Sequence, residues 1–475
     1  MIGESSFLET IYHSKNYLFS SFAQQGLAFI SIPVFTRLLS PGDYGILNIF
    51  GSYVQIFSII LVLNAHGAIA RYYYEDKNDF ANFLGLSVAI VTALLAFSAA
   101  GILIFQERIS KWLDLPISVI PYFIPAIVLY VIMSIFRSVY MPRRNSQKIQ
   151  RYDITQSYIG FALAVALVMI QKDELYLGRL KADVLILFIF GALRVRDIWK
   201  YISFNIDIRH FRYIINFCLP NIPYLLSGVI ISQFDRIMIN SISGSKEAGL
   251  YSFAYNISMV QLMVSNAIHN AWTPKYYEYM NQKKYDIMDK ESQIIGRLLT
   301  ISAISLILFA REIGIILSSS NYHQALSLVP IILVGHYFVG LMPFNKNAIL
   351  HAKKTYITAG ITLSGGAINV VLNALLIPKY GYVAAAYTTV ASFLFIYVVE
   401  IIIAKYVLKY HIYPITRMKL EIIILILSLA LYYLYFVERD GFIIVDIIFK
   451  LLLIGSGVIL LFWKNLEKIY KGYHK

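Results

Sequence analysis

Apolar runs of about twenty residues, each long enough to cross the hydrocarbon core of a bilayer, recur along this chain from one end to the other. No other feature narrows the fold so far. Within hydrocarbon every backbone N–H and C=O must be satisfied internally, so only helices and closed barrels can span it. A barrel would show segments of about ten residues alternating apolar and polar side chains, and no such segments are found. Fourteen runs read as helices, near 17–39, 44–67, 80–105, 117–140, 153–171, 181–200, 213–239, 248–273, 294–317, 325–345, 355–377, 381–404, 418–437 and 442–463. The expected fold is an all-α polytopic membrane protein of about 14 transmembrane helices. The sixth run, "DVLILFIFGALRVRDIW", is the least regular, because Arg194, Arg196 and Asp197 crowd its end.

Charged residues make up 14% of the chain, against about 25% in soluble domains. The net charge of +14 would suit nucleic acid, but the positions of the cations exclude that reading. Most of the 41 Lys and Arg fall in alternate loops, the signature of cytoplasmic loops, so both termini are expected to be cytoplasmic. The loops of the other set are short, and no extracytoplasmic domain is expected. Cys218 is the only cysteine, which leaves no intrachain disulfide and no cysteine-based metal site. The first run lacks a small-residue cleavage site and leads straight into the second, so it reads as a retained helix rather than a signal peptide.

Between the first two runs stands "TRLLSPGDYGILN" (Thr36–Asn48). Ser40 suits an N-cap, Pro41 the first helical turn and Asp43 the acid of a capping box. The stretch predicts a tight helical hairpin with Arg37 at its lip.

An internal repeat sets the architecture. Phe35-Thr36-Arg37 recurs as Phe234-Asp235-Arg236, about 199 residues on, and Gly45 recurs as Gly249 after a similar short loop. "NAHGAIARYYYE" (Asn64–Glu75) matches "NAIHNAWTPKYYEY" (Asn266–Tyr279), pairing His66 with His269, Arg71 with Lys275 and Tyr72-Tyr73 with Tyr276-Tyr277. Four matches in order at nearly one spacing indicate duplication. An even number of spans per copy keeps both copies parallel. The expected organisation is a lobe of spans 1–6 (residues 1–212), a lobe of spans 7–12 (213–412), then two further helices and a tail (413–475).

Three stretches carry a family resemblance. "FTRLLSPGDYG" resembles the first hairpin of polysaccharide transporters, a branch of the multidrug/oligosaccharidyl-lipid/polysaccharide exporter superfamily. "FDRIMINSISGSKEAGLYSFAY" (Phe234–Tyr255) resembles the stretch opening their second lobe, and "NVVLNALLIPKYGYVAAAYTTVAS" (Asn369–Ser392) their paired eleventh and twelfth helices. The resemblance implies a flippase of the O-antigen type. Such a protein moves an undecaprenyl-diphosphate-linked oligosaccharide of O-antigen, capsule or exopolysaccharide across the bacterial inner membrane. It implies no cofactor and no enzymatic activity. The implied partners are the lipid-linked oligosaccharide, inner-membrane lipids, and a polysaccharide polymerase with its chain-length regulator.

Independently of that resemblance, carrying a polar headgroup through hydrocarbon requires polar side chains inside spans, lining a wet and mildly cationic cleft. The candidates are Gln24, Gln25, Asn64, His66 and Arg71 in the first copy. In the second they are Asn221, Gln233, Asn266, His269, Asn270, Lys275, Asn345 and Lys346. Amides suit sugar hydroxyls, and Arg and Lys suit diphosphate. Each also has a structural reading: intramembrane amides often bridge helices, and Arg71 and Lys275 stand where snorkelling anchors are common. Asn369 and Asn373, one turn apart beside Gly365 and Gly366, are expected to pack against Ala384–Ala386. Arg37, Asp43, Asp235 and Arg236 are expected to gate the outer side through Arg37–Asp235 or Arg236–Asp43 pairs. The rival for these is a local pair or a snorkelling arginine.

Two other function classes compete. A multidrug/cation antiporter on the same fold would need an acid in its cavity, and span 1 has none; Glu400 and Asp446 lie near span ends. A membrane polymerase or glycosyltransferase would need a large outer loop or a soluble catalytic domain, and neither is present.

Overall fold

The computed structural model describes residues 23–205, 207–412, 418–437 and 444–473, with side chains to residue 463. Every described element is helical, and each of the fourteen apolar runs carries a helix. Eleven of these helices are both long and apolar enough to cross a membrane. The three outside that set correspond to the first, sixth and eighth runs. The first is described only from residue 23, and the other two carry inward-facing polar groups.

The chain divides into two compact units, Met1–Gly249 and Leu250–Lys475. Unit 1 holds α1 (23–38), α2 (Pro41–Val62), α3 (Ala65–Glu75), α4 (Phe80–Ile104), α5 (Gln106–Leu113) and α6 (Phe123–Tyr140), followed by α7 (Ser146–Ile170), α8 (Tyr176–Ile186), α9 (Ala192–Trp199) and α10 (Ile208–Ser243). Helix α11 (Ser245–Gln282) begins in unit 1 and continues into unit 2, which adds α12 (Tyr285–Leu308), α13 (Ala310–Leu317), α14 (Val329–Leu341) and α15 (Pro343–His351). It ends with α16 (Thr355–Tyr380), α17 (Val383–Ile402), α18 (Lys419–Leu431) and α19 (Ile444–Tyr473). The boundary by compactness thus falls one helix later than the repeat boundary at 212/213, because α10 packs on α2, α3 and α4.

The irregular sixth run has a physical reason. A π turn over Leu187–Gly191 joins α8 to α9, which carries Arg194 and Asp197 on its buried side. Arg194, with no exposed surface, donates to Asp153 at 3.1 Å, and Arg137 donates to the other oxygen of Asp153 at 2.7 Å. Asp197 accepts from Lys148 at 2.7 Å, from Lys200 at 2.9 Å and from Tyr152 at 2.9 Å. Arg194 and Asp197 are thus paired and hydrogen-bonded, the condition under which ionised groups are tolerated away from water, while Arg196 is exposed.

Unit 2 binds its last two helices in the same way. Lys450 of α19 donates to Glu312 of α13 at 2.5 Å, both buried. Arg297 of α12 lies 3.5 Å from Glu421 of α18. The amide pair of α16 is buried and bonded to α17: Asn373 donates to Asn369 at 3.1 Å, and Thr388 of α17 donates to Asn373.

Candidate functional site

The hairpin at Ser40 forms as its sequence requires. Asp43 N–H donates to Ser40 Oγ at 3.1 Å, and Ser40 N–H donates back to the Asp43 carboxylate at 3.2 Å. Both arms of the capping box are present, with Pro41 in the first turn. The second copy turns at Gly244, whose φ of +101° is a conformation that a residue with a Cβ rarely adopts. α11 then starts at Ser245.

These two turns meet. A Cβ placed on Gly45 would lie 1.9 Å from the carbonyl oxygen of Ser245, and one placed on Gly249 would lie 1.8 Å from that of Pro41. The repeat-matched glycines therefore sit backbone to backbone, with no side chain between the first turns of α2 and α11. Below them α2 and α10 are joined by Ser52, which donates to Gln233 at 3.2 Å. Arg236 donates to the same Gln233 oxygen and, at 3.0 Å, to the Ser232 carbonyl. Asp235 and Arg236 are buried while Arg37 is exposed and donates to the Pro33 carbonyl at 2.9 Å. Of the four gate candidates, Asp43 has a local task in the cap. Asn240 ties α10 to the end of α5 by donating to the Asp114 carbonyl at 2.8 Å.

At the other end of α2 the helix stops inside its apolar run. Leu63 and Asn64 take left-handed φ values of 53° and 52°, and α3 leaves in a new direction carrying half-buried His66. The Asn64 carbonyl accepts from the Gly67 N–H at 3.0 Å and from Cys218 of α10 at 3.8 Å. Close by, Arg71 lies over the Phe217 ring at 5.1 Å and pairs with Glu75 at 2.7 Å. That pairing holds the Glu75 carboxyl below the usual range. Asn221 donates to the Phe217 carbonyl at 2.8 Å. Asn64, Arg71 and Asn221 are thus brought to one α2–α3–α10 junction, while Gln24 and Gln25 stand half-buried on α1.

In unit 2 the face of α11 sorts the candidates. Asn266, Asn270 and Lys275 are exposed. His269 is turned inward, its Nε2 2.6 Å from the Gly340 carbonyl and its ring against Trp272 and Phe344. Asn345 is buried and Lys346 half-buried.

One polar pair escaped the sequence reading. A cavity of about 440 Å³ within unit 1 is lined by Ser31, Tyr44, Asn48 and Tyr130 together with Arg179 and Asp183 of α8. The Arg179 and Asp183 charges are 3.7 Å apart, with Arg179 also over the Phe35 ring at 5.6 Å. Their i, i+4 spacing at the edge of an apolar run was the available signal.

Residues 16–280 match the family model described as polysaccharide biosynthesis protein. The chain belongs to that family. Among relatives, a protein of the Lsg locus of Haemophilus influenzae is 24% identical over 283 residues, 56% of this chain and 66% of its own length. Agl15 of Haloferax volcanii, described as a probable low-salt glycan biosynthesis flippase, is 22% identical over 374 residues, 78% of each chain. Two solved structures share the fold of this family member. The lipid II flippase MurJ, in an inward closed conformation, superposes with a TM-score of 0.74 at 15% identity, covering 96% of this chain and 100% of MurJ. An inward-facing multidrug resistance MATE family transporter gives 0.67 at 12%, covering 81% and 94%. A multi-pass membrane protein is the result.

Proposed function

We propose that this protein flips a lipid-linked oligosaccharide, an undecaprenyl-diphosphate-linked repeat unit, across the bacterial inner membrane by alternating access, with both termini cytoplasmic. The observation that carries the reading is the glycine crossing: the outer hairpins of the two repeat copies touch through Gly45 and Gly249, where an alternating-access carrier needs a closure that can part. Membership of a polysaccharide biosynthesis family supports a saccharide substrate. In this reading the lobes are 1–212 and 213–412, and 413–475 is an addition to the second. Arg71 and Lys275 receive the diphosphate, the amides and His66 and His269 serve the sugar or the helix packing around it, and Arg37 with Asp235 strengthens the outer closure. A polymerase and a chain-length regulator receive the product.

The test is flipping of a fluorescent polyprenyl-diphosphate oligosaccharide in proteoliposomes. Arg71→Ala and Lys275→Ala are expected to slow flipping with the protein still inserted, and Arg71→Lys to slow it less. Unchanged rates in both variants and in the double variant would remove the diphosphate role; no flipping by the unaltered protein would remove the function.

The antiporter has one observation in its favour, the carboxylate of Asp183 in the unit 1 cavity. It predicts that Asp183→Asn abolishes proton- or sodium-driven efflux of an organic cation.

A further inference from the structure

Two histidine–aspartate pairs, one in each unit, occupy matching places in the duplicated sequence. In unit 1, His210 Nε2 is 2.5 Å from Asp79 Oδ2. His210 stands in the first turn of α10, the helix that follows the first six-span copy, and Asp79 immediately precedes α4. In unit 2, His411 Nε2 is 2.8 Å from Asp289 Oδ1. His411 stands ahead of α18, the helix that follows the second copy, and Asp289 lies in the second turn of α12. The histidines are about 201 residues apart, inside the spacing that relates the two copies, and the aspartates about 210 apart. The extra residues lie between Tyr276 and Asp289, where the second copy has a longer connection.

Each pair is built into its surroundings. The imidazole of His210 is edge-on to both Tyr72 and Phe83, at 5.6 Å from each, and those two rings stack at 3.9 Å. Asp79 also accepts from Asn82 at 2.8 Å and from Tyr72 at 3.2 Å. The linker leading to α10 is stitched to α4 by the Ser203 N–H, which donates to the Ala81 carbonyl at 3.0 Å. It crosses so closely that a Cβ on Gly85 would lie 2.0 Å from the Ser203 carbonyl oxygen. In unit 2 the ring of Tyr285 stacks on His411 at 4.6 Å. Just beyond, the tip of Met418 lies 3.0 Å from where a Cβ on Gly296 would stand.

We infer that these pairs are duplicated clasps, each tying the chain that enters the helix following its copy to the start of the third span of that copy, α4 in unit 1 and α12 in unit 2. α10 is thereby anchored at its base in unit 1 and the chain ahead of α18 in unit 2, and the clasps stay shut during transport. This makes α18 the counterpart of α10. A two-group, charge-assisted hydrogen bond backed by stacked rings holds one geometry better than an apolar contact would.

Cys218, fully buried two turns above His210, is a native reporter for the first clasp. In detergent-solubilised full-length protein, Asp79→Ala and His210→Ala should each raise the rate of Cys218 alkylation by a small maleimide at least tenfold. Exchanging the partners, Asp79→His with His210→Asp, should restore protection, which a general loss of folding would not. Asp289→Ala should leave Cys218 protected, yet expose a cysteine placed at buried Leu425 of α18 in a Cys218→Ser background. Unchanged Cys218 labelling in both single variants overturns the clasp. Persistence through the cycle rests on the flippase reading and is measured separately. Asp79→Cys/His210→Cys in the Cys218→Ser background, joined by a short bis-methanethiosulfonate, should flip the lipid-linked sugar at no less than half the unjoined rate. Loss of flipping on joining shows a clasp that must open and overturns that part, while labelling decides the clasp itself whatever the protein transports.

Discussion

Replacing Gly45 or Gly249 by alanine puts a methyl group where two backbones touch. The added carbon would be 1.9 Å from the Ser245 carbonyl oxygen in the first case and 1.8 Å from that of Pro41 in the second, against 3.4 Å or more for an ordinary contact. The first turns must separate by about 1.5 Å, and no side chain can rotate away because both obstructions are main chain. Overpacking of this kind typically costs about 1–3 kcal/mol, which as a bias between two conformations is about 5- to 150-fold. The penalty applies only while the hairpins cross, so each variant should populate the parted state rather than unfold. The double variant should cost less than the sum, because the second methyl enters a gap already opened by the first. Gly42→Cys is a suitable reporter: its Cβ would meet only the hydroxyls of Ser245 and Ser40, each at 3.7 Å. In a Cys218→Ser background the maleimide labelling rate at residue 42 should rise at least fivefold with Gly45→Ala and with Gly249→Ala. Labelling and thermal midpoint both indistinguishable from the parent, or strictly additive effects in the double variant, would refute the reasoning.

Three further outcomes are expected. Arg37 is exposed, so the proposed pairing with Asp235 would contribute about 1 kcal/mol or less; Arg37→Asp should slow flipping no more than about fivefold, with partial recovery in Arg37→Asp/Asp235→Arg, and strictly additive losses would show that the two do not meet. Lys450→Met leaves Glu312 buried without its cation, at a cost of about 3–5 kcal/mol, whereas Lys450→Met/Glu312→Leu should regain most of the thermal stability in detergent; equal midpoints for Lys450→Met and the parent would exclude a stabilising pair. The Asp79 carboxyl is held below the usual carboxylate range by the Asn82 amide and by His210 and Tyr72, so its contribution is complete above the unfolded-state value and drains as pH falls through the lower folded one. The stability gap between parent and Asp79→Asn should therefore be full at neutral pH and narrow below about pH 4; a gap that widens on acidification has the wrong sign.

What could be read in advance follows the range of the forces involved. The helices were legible because length and apolarity in hydrocarbon are local properties, and the Ser40 cap because its partners are three residues apart. The Gly45–Gly249 match was visible as a repeat, but that the two glycines touch each other is a fact of the fold. Span 6 looked irregular because Arg194, Arg196 and Asp197 crowd its end; that Arg194 and Asp197 meet Asp153 and Lys148 leaves no mark in composition. Arg179 and Asp183 were missed because i, i+4 charges at a span edge look alike whether they face a cavity or a headgroup. His269 and Asn266 shared one candidate list although the first is buried and the second exposed, since residues three apart are neighbours on a helix and periodicity does not say where the buried face ends.

The pair between Glu312 and Lys450 also has a consequence for how the chain is made. Glu312 leaves the ribosome 138 residues before Lys450, which at about 5–20 residues per second is a delay of roughly 7–28 s. Throughout that interval the carboxylate has no ammonium to meet, and α13 cannot settle beside its neighbours at low cost. Final burial of this region therefore waits for α19 to insert. A chain stopped before α19 exposes an uncompensated acid to the insertion machinery and to membrane proteases.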